Sequence, residues 1–249
     1  MTGFFKLSIL ILIILLSCAC SSSRPTTPEQ NAEKLFQSAE RLLERGLWED
    51  ALTAWEQVRD AYYTPELSML AELKIAETYY LAERYPEAAT SYKEFLRRYP
   101  DDFRASTTLF RLGQSYYRQI LSPDRDQTNT RNALNTFEEF LRKYPNDPNA
   151  AQAEQLALRA RTRLADHEVY VGRFYLQRIH YQPAIQRLEN ILAQFPEYYY
   201  RDEAFFFLGR AYLAAGQTTE AQQILTQLVE EFPASRYYDK AFKLLGEIS

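Results

Sequence analysis

The stretch Gly209–Pro233, GRAYLAAGQTTEAQQILTQLVEEFP, contains the pattern on which the fold depends. Its first glycine is followed three residues later by Tyr212, twelve residues later by Ala221, and finally by the proline twelve residues beyond that alanine. The alanine and the proline recur through the chain, at Ala51, Ala88, Ala133, Ala184 and Ala221, and at Pro100, Pro145, Pro196 and Pro233. Bulky apolar residues stand four and seven positions after every alanine, which places them on one face of a helix. This repetition indicates a stack of similar helical units.

The spacing resembles that of the tetratricopeptide repeat, a helix–turn–helix unit of about 34 residues. A small residue before the alanine lets the two helices approach closely, and the proline ends the second helix because it has no N–H to donate. The resemblance implies an all-α tetratricopeptide-repeat solenoid of five helix–turn–helix units with a C-terminal capping helix. That last helix is predicted at about residues 235–248, with its inward face formed by Tyr237, Ala241, Leu244 and Leu245.

The third unit is longer than the others. Its small residue, Gly113, lies twenty residues before its alanine instead of twelve, which places eight extra residues around Leu121–Gln127. Within this insertion, Asp124, Asp126 and Thr128 are predicted to cap the following helix, whose first turn would begin near Thr128.

The fourth unit is irregular in another way. Its helical pattern runs without interruption from about Asn149 to Arg178, which is longer than an ordinary first helix of a repeat.

The predicted divisions of the folded part are two N-terminal repeats at 30–101, the third unit with its insertion at 102–147, and the C-terminal repeats with the capping helix at 148–249.

Residues 1–17 are predicted to be a signal peptide. The aliphatic run Leu7–Leu16 follows a single positive charge and is too short to span a membrane as a helix. It leads into Leu15-Leu16-Ser17-Cys18, which resembles the bacterial lipobox, so Cys18 is the predicted lipidation site, with Cys20 as the alternative. Residues 18–29 are then a lipidated polar tether, with a diacylglycerol and an N-acyl chain on the cysteine as the membrane attachment. The residue after either cysteine is not aspartate, which suits outer-membrane retention in such lipoproteins.

The composition gives no sign of nucleic-acid binding or of catalysis. The net charge of −4, with acids and bases intermixed, provides no basic stripe. No nucleophile elbow, phosphate-binding glycine loop or HExxH pattern occurs, so we expect no enzyme and no cofactor beyond the covalent lipid. The adjacent residues Asp166, His167 and Glu168 point in different directions on a helix, so we expect no metal site there. His180 is interpreted as a solvated turn residue.

The aromatic residues of the first helices predict a peptide-binding groove. Tyr80 and Tyr117 each follow a tyrosine at the packing position of the repeat, and helical geometry turns them by about 100° toward the concave surface. An apolar groove with a few polar groups suits an extended or helical peptide. The predicted groove consists of Phe36, Leu43, Leu73, Tyr80, Phe110 and Tyr117. The alternative is that neighbouring units cover these residues.

The irregular units also resemble a particular family. The most specific stretches are Asp124-Arg125-Asp126-Gln127-Thr128 with the following Ala133-x-x-x-Phe137 and Tyr144-Pro145, then Arg163-Leu164-Ala165-Asp166-His167-Glu168-x-x-Val171-x-x-Phe174-Tyr175, then Ala184-Ile185-x-Arg187 to Phe195-Pro196. Together with the lipobox, they resemble the BamD family of lipoproteins from the bacterial outer-membrane β-barrel assembly complex. The resemblance is strong across residues 124–196 and is only that of the general repeat in the first two units.

This resemblance implies a scaffold without catalytic activity, anchored by lipid on the periplasmic face of the outer membrane. It implies that the N-terminal repeats receive the C-terminal segment of unfolded outer-membrane proteins. The C-terminal repeats would dock on the POTRA domains of a BamA-like barrel subunit and on smaller accessory lipoproteins. Arg187 matches the family's contact with the barrel subunit, and a solvent-facing arginine can present a fork to a carboxylate. The family's substrate segment ends in an aromatic residue and a free carboxylate, for which Arg118 is the nearest basic candidate.

Two other classes are the alternatives. A periplasmic repeat adaptor of the Tol-Pal/YbgF type shares the Tyr-Pro endings, but such proteins normally carry an N-terminal coiled coil, and no heptads precede residue 30. An enzyme-associated lipoprotein that binds peptidoglycan would need a glycan-binding groove, and no sugar-binding set of residues is visible in the sequence.

Overall fold

All regular structure in the described part of the chain is α-helical. A computed structural model of the protein describes residues 28–61 and 64–248. The predicted signal peptide, Cys18 and Cys20 lie outside these residues, so they stay predictions. In chain order the helices are α1 Pro28–Glu44, α2 Trp48–Asp60, α3 Pro65–Leu81, α4 Tyr85–Arg98, α5 Ala105–Tyr117, α6 Thr128–Lys143, α7 Ala150–Gln177, α8 Tyr181–Gln194, α9 Arg201–Ala214, α10 Thr218–Glu231 and α11 Tyr238–Ile248.

The repeated prolines end helices as the sequence predicts. Helices α4, α6, α8 and α10 each stop two residues before the proline of their unit. The residue between helix and proline is an aromatic one with φ near −130°: Tyr99, Tyr144, Phe195 and Phe232. These residues have ψ of 56–60°, so each has left the helical conformation, which the proline ring disfavours in the residue before it.

The chain divides into two compact units, residues 1–71 and 72–249, and the described residues of the first form the hairpin of α1 and α2 and the start of α3. Its core contains Ala39, Ala51 and Trp55, all of which are fully buried. The Trp55 ring meets Phe36 edge to face at 5.0 Å between ring centroids. The hydroxyl of Ser68 donates to the carbonyl oxygen of Arg59 at 3.1 Å, which fixes the start of α3 against the end of α2.

The second unit contains three successive hydrophobic clusters. The first joins α4, α5 and α6 to the first half of α7 around Phe137 and Phe140. The second joins the second half of α7 to α8 and α9 around Leu188, and the third joins α9 and α10 to α11 around Leu225. Helix α7 contributes to two clusters because its 28 residues are about twice the length of its neighbours. The long helix predicted at about Asn149–Arg178 is therefore confirmed.

Three glycines of this unit lie where two helices come closest together. A Cβ atom built on Gly113 would lie 2.7 Å from the Phe137 ring, and one on Gly209 would lie 2.5 Å from Leu225. At Gly172 the nearest atom is Cγ of Leu188, also at 2.7 Å. These distances are shorter than carbon atoms tolerate, so the predicted role of the small residues in close helix packing is confirmed.

The capping helix lies where the sequence predicts it, as α11. Tyr237 and Ala241 are buried, and Leu244 and Leu245 pack partly buried against the last cluster. The predicted all-α tetratricopeptide class is confirmed, whereas the repeat count and the domain boundaries stay predictions. Among the described helices, none has the length and apolar character required to cross a bilayer.

Candidate functional site

The insertion of the third unit is a loop held by its own hydrogen bonds. Gln127 is 1% exposed, and its amide nitrogen donates to the carbonyl oxygens of Ser122 and Arg125 at 2.9 and 3.0 Å. Its amide oxygen accepts from the Thr130 hydroxyl at 2.7 Å. A buried side-chain amide with all of these partners stabilises one loop conformation, because each bond is lost if the loop opens.

The capping prediction for this loop is correct in part. The Asp126 carboxylate accepts from the backbone N–H of Thr128 at 2.9 Å, and α6 begins at Thr128. This hydrogen bond lowers the pKa of the Asp126 carboxyl group. Asp124 instead accepts from the Ser122 hydroxyl at 2.5 Å, within the loop. The prediction that Asp124 caps the helix is wrong, because its carboxylate bonds to the Ser122 hydroxyl in the loop that precedes the helix.

His167 connects the insertion to the long helix α7. Its Nδ1 lies 2.6 Å from the carbonyl oxygen of Pro123, 44 residues earlier in the chain. A carbonyl only accepts, so Nδ1 carries the proton and donates. The histidine therefore has a structural partner, and no group of three or more His, Cys, Asp or Glu side chains among the described residues is placed to hold a metal ion. His180 is exposed in the turn between α7 and α8.

Arg187, the predicted partner contact, forms an ion pair within the chain. Its guanidinium donates to both carboxylate oxygens of Glu168 on α7, at 3.0 and 3.2 Å. The Arg187 side chain is 43% exposed. Glu168 follows His167 directly, and the insertion and Arg187 are thus held by neighbouring residues of one helix. The contact of Arg187 with a partner stays a prediction.

The predicted groove residues of the first unit are half-buried. Phe36 packs on Trp55, and Leu43 lies on the same helix α1, two turns later. Both retain some exposed surface. Their participation in a groove stays a prediction.

In the second unit the predicted groove residues differ in their exposure to solvent. Leu73, Tyr80 and Tyr117 are half-buried and keep accessible surface. Phe110 is only 4% exposed, because its ring packs at 6.0 Å from Phe137 and 5.5 Å from Phe140. The prediction that Phe110 lines the groove is therefore wrong: neighbouring helices cover it, and it belongs to the core.

Tyr80 is surrounded by cationic and aromatic groups. Its ring lies under the guanidinium of Arg111 at 5.2 Å and edge to face with Tyr85 at 5.5 Å. A hydrogen bond from Arg118 to Tyr80 raises the pKa of that arginine. Arg118, the candidate for a substrate carboxylate, therefore already interacts with a neighbouring hydroxyl group.

A cleft that sequence reasoning missed lies beside the end of α5 and the first half of α7. Its volume is about 520 Å³, and it is lined by Tyr117, Ile120 and Leu158 together with Thr162 and two arginines, Arg159 and Arg163. The available sequence signal was the placement of those arginines one turn apart on a helix, beside an apolar residue. We call this site the α5–α7 cleft.

A larger cleft of about 860 Å³ lies near the C-terminal end of the described residues. Tyr199 on its rim is 82% exposed, whereas Tyr198 is buried and donates to Asp166 at 2.7 Å. Burial and this hydrogen bond raise the pKa of Tyr198. Glu203 in the same cleft binds Arg173 and Arg236 at 2.9 and 3.1 Å, so its charge is already compensated.

Comparisons with known proteins match most of the chain. A family model described as "YfiO: Outer membrane lipoprotein" matches residues 28–224. The outer membrane protein assembly factor BamD of Caulobacter vibrioides is 28% identical over 80% of this chain and 66% of that protein. A protein of Aquifex aeolicus that carries the same name provisionally is 31% identical over 79% of this chain and 65% of that protein. The match thus spans just under two thirds of the length of these relatives.

One solved structure with a detectable likeness is the TPR2AB domain of yeast Sti1 in its pHSP90 complex. It aligns with 82% of this chain and 79% of that chain, at 12% sequence identity and a TM-score of 0.43.

Proposed function

Because the chain belongs to the family of the outer membrane lipoprotein YfiO, whose relatives are named outer membrane protein assembly factor BamD, we propose that it is an assembly scaffold of that kind. It acts without catalysis at the periplasmic face of the outer membrane, where a lipid on Cys18 or Cys20 anchors it. The family match over residues 28–224 is the observation that carries this proposal.

We assign the binding of partner proteins to the C-terminal helices. The Arg187 side chain on α8 is 43% exposed, and Glu168 holds one nitrogen of its guanidinium in position. A positioned guanidinium loses less conformational entropy when it binds a carboxylate of another protein. We assign this contact to the POTRA region of a BamA-like barrel subunit, with accessory lipoproteins as further partners.

We assign the binding of substrate to the half-buried tyrosines of the second unit. Tyr80 and Tyr117 keep accessible ring surface beside arginines, a combination that can bind an aromatic residue of an unfolded chain. The proposed ligand is the C-terminal segment of an unfolded outer-membrane protein. Leu73 belongs to the same proposed surface of the second unit, and Phe36 and Leu43 are a separate proposed apolar surface of the first unit.

Affinity purification tests the partner assignment. The full-length tagged chain is isolated from its native membranes in mild detergent, and co-purifying proteins are identified by mass spectrometry. We expect a β-barrel protein with POTRA domains, and a decrease of about tenfold in its yield for Arg187→Ala, which corresponds to about 1.4 kcal/mol of binding free energy.

The matched control for this experiment is Arg142→Ala. Arg142 is an exposed arginine on α6, and no ion pair with another described residue is seen for it. It should leave the yield unchanged. If no POTRA protein accompanies the wild-type chain, the proposal fails, and the recovery of Tol-system proteins instead would support the YbgF-type adaptor.

A further inference from the structure

We propose that a face formed by α7, α9 and α11 binds an acidic segment of a partner protein, as a second docking surface in addition to Arg187. At or next to each of these helices, a cation lies over an aromatic ring, at 5.1, 6.0 and 5.8 Å from the ring centre. The three pairs are Phe174 with Arg178, Phe207 with Arg210, and Tyr237 with Lys240. We call them the cation–aromatic face.

Further ring contacts join the three pairs into one surface. The guanidinium of Arg173 lies 4.7 Å from the centre of the Phe207 ring, which connects α7 to α9. The Phe207 ring meets the Tyr237 ring edge to face at 5.9 Å between centroids, which connects α9 to the start of α11. Arg173 adjoins Phe174 in the chain, so the first pair lies beside the second.

The cations of the face are not neutralised within the chain. All three are exposed, and none forms an ion pair with a residue that the structure describes. By contrast, Arg187 on α8 pairs with Glu168, and Arg161 on α7 contacts two glutamates. Unpaired cations on one face repel each other, and an anionic ligand relieves this repulsion.

The carboxylates nearest to the face leave it positive. Glu203 already pairs with two arginines, Arg173 and Arg236, at 2.9 and 3.1 Å. Asp239, which adjoins Lys240, is turned away from it by about 100° around α11. With these two carboxylates counted against the three cations of the face and the two paired arginines, the net charge is +3.

The acidic residues of the larger cleft do not compensate Arg210. Asp202 lines that cleft in the first turn of α9, and Arg210 follows eight residues later, a rise of about 12 Å along the helix. This distance exceeds the Debye length of about 8 Å at physiological salt, so the two charges are largely screened from one another. Glu231 of the same cleft accepts from Gln227 on its own helix.

The arrangement favours an acidic protein segment over a lipid headgroup. A guanidinium that lies over a ring keeps its N–H edge free, and this edge can bind both oxygens of a carboxylate. A side chain held by a ring also loses less conformational entropy on binding. Phe174 is 42% exposed beside Arg178, so an apolar side chain next to the carboxylates finds a contact as well. A segment with acidic and apolar residues provides both groups, whereas a headgroup provides the anion alone.

The face is separate from the contact assigned to Arg187. Glu168 holds Arg187, and Arg173 reaches α9 from a position five residues later in α7. These two side chains therefore point about 140° apart around the helix. The inference thus adds a docking surface to the proposed function and does not depend on the assignment of Arg187.

Fluorescence anisotropy with two peptides tests the inference. One probe is a short fluorescein-labelled peptide of glutamates around a central phenylalanine, and in the other glutamine replaces every glutamate. Both are amidated at the C-terminus, so only side-chain carboxylates distinguish them. The protein is the full-length chain in detergent. We expect the acidic peptide to bind about tenfold more tightly than the neutral one, with a difference that decreases as salt is added.

Variants then locate the discrimination. In Arg210→Gln with Lys240→Gln, the preference for the acidic peptide should disappear. The matched control is Lys93→Gln with Arg142→Gln, which removes one exposed lysine and one exposed arginine from α4 and α6 and should keep the preference. Thermal unfolding of each variant verifies that the fold is retained.

Three results would overturn the inference. The first is equal binding of both peptides by the wild-type chain, or a preference that persists in the variant of the face. The second is loss of the preference in the control too, which would make general surface charge responsible. The third is a wild-type chain that ignores the peptides but retains phosphatidylglycerol in detergent, with loss of that lipid in the variant of the face. None of them affects the co-purification of a POTRA protein, which tests the proposed function separately.

Discussion

The imidazole of His167 donates to the carbonyl oxygen of Pro123 at 2.6 Å and so holds the insertion of the third unit against α7. The same helix holds Arg187 through the next residue, Glu168. The two departures from the regular repeat, the inserted loop and the overlong helix, are thus in direct contact with one another. The helix is long enough to contact the loop with one part and α8 with another.

The substitution His167→Ala should loosen the insertion without unfolding the chain. It removes one hydrogen bond to a loop carbonyl, worth about 1 kcal/mol. Hydrogen exchange of the amides in 121–127, followed by mass spectrometry, should become faster by roughly fivefold, as that free energy implies. His180→Ala, at the exposed turn histidine, is the control and should leave exchange in this loop unchanged.

The substitution Gln127→Ala should destabilise the whole second unit. The buried amide donates to the carbonyl groups of Ser122 and Arg125 and accepts from the hydroxyl of Thr130. Alanine leaves all three groups without that partner. We expect a loss of about 1–3 kcal/mol in the free energy of unfolding in urea. Gln155→Ala, on an exposed position of α7, should change it by less than about 0.5 kcal/mol. Equal effects of the two variants would contradict the assigned role of Gln127.

The substitution Gly209→Ala should destabilise the protein despite the better helix propensity of alanine. The added Cβ would lie 2.5 Å from Leu225, and overpacking of this kind costs about 1–3 kcal/mol. Gly246→Ala is the matched control, since no atom lies within 4 Å of the Cβ position there. It should stabilise α11 by up to about 1 kcal/mol. Thermal and urea unfolding of the two variants should therefore show shifts of opposite sign.

The turn between α7 and α8 contains a strained isoleucine. Ile179 has φ of +64°, in the left-handed region that β-branched residues avoid. Its side chain is 70% exposed. Glycine occupies the equivalent turn position at Gly46 and Gly216. We expect Ile179→Gly to stabilise the chain by about 0.5–1 kcal/mol, because relief of strain exceeds the entropy that glycine adds to the unfolded state. The converse variant Gly216→Ala, with no steric obstacle, should destabilise it. A lower melting temperature for Ile179→Gly would show that the turn is not strained.

The double substitution Tyr80→Ala with Tyr117→Ala should weaken binding of a fluorescein-labelled peptide with the C-terminal sequence of an outer-membrane β-barrel protein, measured by fluorescence anisotropy. Both rings offer accessible aromatic surface in the second unit, and loss of two such contacts reduces affinity by about tenfold or more. Tyr170→Ala, at an exposed tyrosine of α7 outside the α5–α7 cleft, is the control. Unchanged affinity of a folded double variant would refute the groove.

Much of the candidate site could not be predicted from sequence, and particular residues show why. Tyr80 and Phe110 both follow from helical geometry as outward-facing aromatics, yet one is accessible and the other is covered by Phe137 and Phe140. The difference depends on how the next helix pair packs, which is not a local property of the sequence. The interaction of Arg118 with Tyr80 is likewise not a local property, because Tyr80 lies on α3 and Arg118 follows the end of α5.

The sequence by itself determined the helices, their ends and the close approach of each pair. Prolines, small residues and apolar periodicity act over a few residues or one helix turn, so their consequences can be deduced without coordinates. Only the tertiary structure decided that His167 meets Pro123, that Glu168 meets Arg187, and that two arginines of α7 border an apolar cleft next to α5. These contacts join residues on separate elements, and they depend on packing across the whole second unit rather than on any local pattern.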